Sequence, residues 1–346
     1  MRPNAHEQML SVVVPVFNEA EGIAAFHARL AAVLDSLDLD SEVIYVNDGS
    51  RDATLARLLE LRERDARIAI IDLSRNFGKE LAMTAGIDQA RGDAVVVIDA
   101  DLQDPPELIP AFVREWRTGY DVVYGKRISR AGETPLKKLT AHLFYRVFQH
   151  ASRVRIPVDT GDFRLLSRRA VEALKRLREQ HRFMKGLFAW IGYKSKAVEY
   201  ERDPRLAGKS SFNYWKLWNF ALEGFTSFTT APLKCATYLG LLIAFGAFVY
   251  GLVIIYDTLR YGNPVAGYPS LMVVMLFLGG VQLMSLGVIG EYLGRMFDEA
   301  KQRPLYLVQD FYPADAAAGA ARAEGGEPAL ARGDETLGRW PHRTAV

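Results

Sequence analysis

The sequence predicts an α/β fold with a mostly parallel sheet, followed by interfacial and membrane-spanning helices. Three observations carry this. Five short runs rich in Val and Ile alternate with helix-prone stretches over residues 10–125, carboxylates stand where several of those runs end, and two long uncharged segments follow residue 230.

The runs are "LSVVVPV" at 10–16, "EVIYVN" at 42–47, "RIAIIDL" at 67–73, "AVVVID" at 94–99 and "DVVYG" at 121–125. Continuous apolar runs of this length read as strands buried on both faces, and the amphipathic stretches between them as crossover helices. Ligands of such sheets sit beyond the carboxyl ends of the strands. After residue 130 the alternation gives way to basic, helix-prone segments, and "KSKAVEYER" at 194–202 reads as an extra strand.

Composition narrows the class. The chain has 346 residues, with 43 Lys and Arg against 41 Asp and Glu, so its total charge points to no partner. Its distribution does: from Lys126 to Lys196 there are 18 basic residues against 5 acidic ones, a surface suited to phosphate or anionic lipid rather than to nucleic acid. Cys235 is the only cysteine, which excludes an intramolecular disulfide. The first apolar run lacks a charged n-region and a cleavage site, so the first domain is expected in the cytosol.

Residues 235–256 carry no charge over 22 positions, and residues 261–290 carry none over 30. A spanning helix needs about 20 apolar residues, so both qualify. The outer flanks hold Lys209, Lys216 and Lys234 on one side and Arg295, Lys301 and Arg303 on the other, which places both ends in the cytoplasm. A hairpin buried in a soluble core is the alternative. The aromatic stretch at 211–230 reads as an interfacial amphipathic helix. The expected plan is a catalytic domain over 1–210, that helix, a two-span hairpin over 231–295, and a cytoplasmic tail disordered after about 312.

"VIDADLQDPPE" at 97–107 ends a strand with clustered acids. Asp99 and Asp101 stand two apart, so a bend can turn both toward one hard cation, Mg²⁺ or Mn²⁺, that takes further ligands from a substrate diphosphate. Asp104 precedes Pro105 and Pro106 and reads as a helix cap, with Glu107 near that helix's positive end. Neither a G-x-G-x-x-G fingerprint nor a P-loop follows the first strand.

"VVVPVFNEAEGI", "VNDGSRDAT", "SRNFGKELAMTAG", "IDADLQDPPE", "GKR", "DTGDFRLLSRRAV", "RFMKGLFAWIG" and "RLAGKSSFNYWKL" resemble, in order and spacing, the family 2 glycosyltransferases of GT-A fold, and within them the polyprenyl-phosphate glycosyltransferases. The resemblance covers residues 10 to about 305. The Q-x-x-R-W motif of processive family 2 synthases is missing, and "GRW" at 338–340 lies out of context.

The resemblance implies a Rossmann-like GT-A domain and roles for individual residues. Pro15, Phe17, Glu19 and Asp48 match nucleotide-binding loops, with Asp48 near the base or ribose. Asn76, Gly78 and Lys79 line the donor site, where relatives commonly carry His in place of Lys79. Asp99 and Asp101, with Ala100 between them, match the D-x-D metal pair, and Gln103 a position that often joins it. Arg127, Arg164, Arg205 and Lys209 match basic positions around the acceptor phosphate and donor diphosphate. Asp159 or Asp162 is the acid expected to orient Arg164.

The expected reaction moves a sugar from a nucleotide sugar, UDP-linked before GDP-linked, to the phosphate of a membrane polyprenol such as undecaprenyl phosphate. It is inverting, assisted by Mg²⁺ or Mn²⁺, and takes place at the inner membrane of a bacterium. A phosphate monoester has a second pKa of about 6 and needs no general base. Homo-oligomers are expected, with the strand-like "PLYLV" at 304–308 available to pair between subunits. The competing readings are transfer to a hydroxyl acceptor and an inactive membrane scaffold of a glycan-export complex.

Overall fold

The structure, a computed structural model, describes residues 8–127, 160–200, 231–261 and 267–314. Eight strands form one sheet: β1 Met9–Val16, β2 Asp40–Asn47, β3 Ile68–Leu73, β4 Ala94–Val97, β5 Val122–Arg127, β6 Thr160–Ser167, β7 Ser195–Tyr200 and β8 Val308–Tyr312. Their order across the sheet is β7-β5-β6-β4-β1-β2-β3-β8. All run in one direction except β6 and β8, whose pairings are antiparallel. This is the mostly parallel GT-A sheet that the sequence predicts.

Successive side chains of a strand face opposite sides, and β1 uses both. Val12, Val14 and Val16 pack with Ile23, Phe26 and Leu30 of α1 (Ile23–Asp35), Leu58 of α2 (Thr54–Arg64) and Phe112 of α4 (Ile109–Arg117). Val13 packs on the other face with Met83 and Ile87 of α3 (Lys79–Gln89), Val171 of α5 (Arg168–Lys175) and Leu187 of α6 (Met184–Trp190). The result is a sheet between two helical layers. The strand order reverses at β1, where β2 lies on one side and β4 on the other, and a ligand crevice forms at the carboxyl ends of strands around such a switch point.

Two strands depart from expectation. Thr160–Ser167 lies within the motif "DTGDFRLLSRRAV" and forms β6, wedged between β4 and β5. The strand expected at 304–308 forms instead at 308–312 and pairs antiparallel with β3 of the same chain, extending one edge of the catalytic sheet. The amide of Ser74 donates to the carbonyl of Leu307, and the Arg62 guanidinium donates to the carbonyl of Pro313, fixing this strand at both ends.

Helix α7 (Ala231–Tyr261) contains the first uncharged segment, and helix α8 (Tyr268–Ala300) contains residues 268–290 of the second. Each is long and apolar enough to cross a membrane over Cys235–Tyr261 and Val273–Ala300, and neither stretch is buried in the protein. Leu241, Phe245, Phe277 and Leu283 all stand exposed. A hairpin packed inside the core of this chain would bury those side chains, and the described residues of both helices leave them exposed. The interfacial helix expected at 211–230 and the tail after 314 lie outside the described residues.

Candidate active site

The loops leaving β1 and β2 are clasped to each other. Asn18 takes a left-handed φ of 55°, its amide donates to Ser50 Oγ at 2.9 Å, and its side-chain oxygen accepts from the Arg51 amide at 2.9 Å. The Glu19 amide donates to Thr54 Oγ1 at 2.9 Å. Pro15 is half-buried within β1, and Phe17 is exposed at the rim.

Asp48, at the end of β2, is buried and accepts from the Phe77 amide at 2.7 Å and the Gly78 amide at 2.9 Å. Burial pushes its carboxyl above the usual range against the pull of these two bonds. Both oxygens thus shape the β3–α3 loop, and Asn76 Nδ2 adds a bond of 3.2 Å to the Asp48 carbonyl. Gly49 has φ of +63°, and a Cβ there would lie 2.4 Å from the Arg75 carbonyl carbon. Loop contact and backbone angle both require glycine.

The antiparallel register of β4 with β6 pairs Val97 with Arg164. Two residues further along β4 and two earlier along β6, Asp99 and Asp162 come opposite each other. Lys79, the first residue of α3, reaches between them. Its Nζ lies 2.7 Å from Asp162 Oδ2 and 2.7 Å from each oxygen of Asp99. Burial opposes the Lys79 charge, yet Asp162 and Asp99 hold its pKa well above the ordinary lysine value. Burial likewise works against ionised Asp162, but Lys79 and Lys185 outweigh it and keep the carboxyl well below the usual range. Burial pushes Asp99 upward, with Lys79 opposing and Asp162 reinforcing.

Beyond Asp99, Ala100 is buried and Asp101 Oδ1 accepts from the Gln103 amide at 3.1 Å. Leu102 adopts a φ of 58°, a left-handed backbone that costs a branched residue about 1 kcal/mol or more and marks a sharp bend after the D-x-D pair. Asp104 does not cap the next helix: the 3-10 turn at Pro106–Leu108 has no side-chain cap, and Asp104 is buried and accepts from the Tyr200 hydroxyl at the end of β7. A tyrosine partner from β7 satisfies this carboxylate in the interior, where a solvent-side cap could not. Glu107 forms a two-pronged pair with Arg29 of α1, at 2.9 and 2.8 Å.

Arg164 is 5% exposed. Its guanidinium lies 3.8 Å from the centre of the Phe188 ring and donates to the carbonyls of Gly161 and Asp162. Burial pulls its pKa down to about 10. Its place is under the site, bracing the strand turn that carries Asp162. Arg127 ends β5 opposite Tyr200. Asp159, Arg205 and Lys209 lie outside the described residues.

One group at this site goes unnoticed in the sequence although it stands next to Lys79 in "SRNFGKE". Glu80 accepts from the Met184 amide at 3.1 Å, joining α3 to the start of α6, and burial together with the Asp162 charge pushes its carboxyl up to about 7.

Among the described residues no group of three or more His, Cys, Asp or Glu side chains could by itself hold a metal ion. Asp99 and Asp101 instead offer two hard oxygen donors at a bend, which fits a cation that brings phosphate ligands with it. A cavity of about 1140 Å³ lined by Asp88, Arg178, Glu299, Arg303 and Tyr306 shares none of these residues and lies between the catalytic domain and the end of α8.

Comparison with known proteins gives two family matches, Glycosyl transferase family 2 over residues 11–175 and the GtrB C-terminal hairpin over residues 231–296. The chain is 54% identical to an uncharacterized glycosyltransferase of Synechocystis over 303 residues, 88% of this chain and 95% of that protein. It is 49% identical to the SfII prophage-derived bactoprenol glucosyl transferase of Shigella flexneri, over 87% of this chain and 97% of that one. It is also 47% identical to the prophage bactoprenol glucosyl transferase homolog of Escherichia coli, over 87% and 98%.

Proposed function

The chain belongs to glycosyl transferase family 2 and is a glycosyltransferase, and from that premise we propose that it transfers a sugar from a nucleoside diphosphate donor to the phosphate of a membrane polyprenol. The observation that carries the acceptor class is the state of Asp162. It is engaged by Lys79 and held strongly acidic, so it is a poor proton acceptor at neutral pH. A hydroxyl nucleophile needs a base of matched pKa, whereas a phosphate monoester is largely dianionic already. The bactoprenol acceptors named for the relatives and the two apolar helices support the same acceptor.

In this reading the clasped β1 and β2 loops and the Asp48-anchored loop at 75–78 form the nucleotide cradle. Asp99 and Asp101, with Gln103 beside them, would hold Mg²⁺ or Mn²⁺, which supplies Lewis acidity toward the departing diphosphate. Lys79 contributes positive charge on the donor side. Arg127, Arg205 and Lys209 contribute it on the acceptor side, while Arg164 braces the Asp162 turn. Catalysis rests on positioning and electrostatics, with in-line attack that inverts the anomeric centre. The hairpin would sit in the inner membrane with the catalytic domain in the cytoplasm, which brings the site to the level of a lipid headgroup.

Transfer to a hydroxyl is the second reading, and Glu80 is the observation in its favour. Its carboxyl, at about 7, has the pKa of a working base. Glu80→Gln separates the two: under the phosphate reading the variant retains transfer to within about threefold, while a required base would cost on the order of 10²-fold or more. The donor is tested by offering UDP-sugars and GDP-sugars with undecaprenyl phosphate and either cation. A product from a UDP-sugar is expected, and no lipid-linked product from any donor would overturn the proposal.

A further inference from the structure

We propose that Lys79 is an exchangeable counter-cation of the metal-binding carboxylate: it holds Asp99 against Asp162 before the donor arrives and cedes Asp99 to the donor's divalent cation. This rests on the nucleoside diphosphate donor proposed above.

The register that sets Asp99 opposite Asp162 brings two carboxylates together, and both stay ionised so close to each other only with a cation between them. Lys79 is that cation, 2.7 Å from both oxygens of Asp99 and from one of Asp162. The contact is complete at Asp99: both of its oxygens face the ammonium. A hard divalent ion binds carboxylate oxygens at about 2.1 Å. An ammonium and a divalent ion on the same two oxygens would be like charges within contact range, so only one can hold Asp99.

The two carboxylates differ in accessibility. The Asp99 side chain is 27% exposed and that of Asp162 is 12% exposed, while Lys79 is 42% exposed on a flexible stem. The pair to Asp99 is therefore the one a solvent-borne cation can reach. Asp162, deeper and braced from below by Arg164, retains the ammonium after exchange. Held there, Lys79 would keep its positive charge beside Asp99, where it could contact a phosphate of the bound donor. The arrangement disfavours a bare metal ion and favours a metal that arrives with a diphosphate, because the diphosphate gives the displaced ammonium a new partner. Lys79 is thus a positioning residue that couples metal and nucleotide binding.

The test measures Mn²⁺ binding by electron paramagnetic resonance on the full chain in detergent, with and without UDP. In Lys79→Met, nucleotide-free Mn²⁺ binding should tighten about tenfold while Mn²⁺-dependent UDP binding weakens, and Lys79→Arg should restore the wild-type weakness toward bare Mn²⁺. A purely structural lysine would weaken both. Unchanged or weaker bare Mn²⁺ binding in a folded Lys79→Met protein would overturn the exchange. A second measurement needs no variant: amine acylation of Lys79 in the wild type, read by mass spectrometry, should rise when Mn²⁺ alone is raised until its electron paramagnetic resonance signal shows the site filled, and no rise at that occupancy would overturn the exchange. Failure of Mn²⁺ to strengthen UDP binding by the wild type would overturn the donor reading itself, which distinguishes the two failures.

Discussion

The Asp48 carboxylate accepts the amide of Gly78 at 2.9 Å, so the end of β2 holds the residue that immediately precedes Lys79. The carboxylate is buried and its other oxygen accepts the Phe77 amide. Asp48→Ala leaves two amides without partners and should cost about 1–3 kcal/mol for each that stays buried. The expected outcome is a lower melting temperature together with a raised KM for the donor, measured by calorimetry and by donor titration. Asp48→Asn keeps one acceptor oxygen and should fall between the two.

Gly49 tests the same loop from the other side. Its positive φ and the approach of the Arg75 and Asn76 backbone leave no room for a methyl group. Gly49→Ala should destabilise by about 1–3 kcal/mol and reduce donor binding more than a substitution of similar size at Gly119, where φ is also positive and no atom lies within 4 Å of a built Cβ. Equal effects at both glycines would show that backbone angle alone matters.

Glu80 gives a pH signature. Burial and the Asp162 charge raise its folded pKa to about 7, from an ordinary value of 4.5. Between those values the folded protein holds a proton that the unfolded chain releases, so stability falls as pH rises through the window. Unfolding midpoints across pH 4.5 to 7 should decline for the wild type relative to Glu80→Gln. Parallel curves would contradict the assignment.

The position of β8 bears on the proposed two-span topology. Because Val308–Tyr312 pairs with β3, the chain after α8 joins the catalytic sheet, so under that proposal both stand on one side of the membrane. A reporter placed at residue 264, between α7 and α8, should report the opposite side of the membrane from one fused after residue 314. Both reporters on one side would rule out two spans.

Much of the fold is legible in the sequence because buried parallel strands write themselves as unbroken Val and Ile runs, as in "LSVVVPV" and "AVVVID". β6 is harder to see: "TGDFRLLS" carries Asp162 and Arg164, charges that a strand interior normally excludes, and the structure accommodates them through Lys79 and Phe188. The D-x-D acids are readable as a pair at a strand end. Their neighbours are not, since the partner of Asp99 depends on the β4–β6 register and the partner of Asp104 is Tyr200, 96 residues away. Arg164 shows the same limit, because a motif gives a basic residue and only packing reveals that its guanidinium is buried against a ring.

The central claim, that a phosphate is the nucleophile, is tested most directly by offering the full chain one labelled nucleotide sugar with undecaprenyl phosphate, undecaprenol or diacylglycerol in separate detergent reactions. The account predicts a labelled lipid only with undecaprenyl phosphate, dependent on Mg²⁺ or Mn²⁺ and lost in Asp101→Ala. Labelled product from undecaprenol or diacylglycerol, with none from the phosphate, would contradict it.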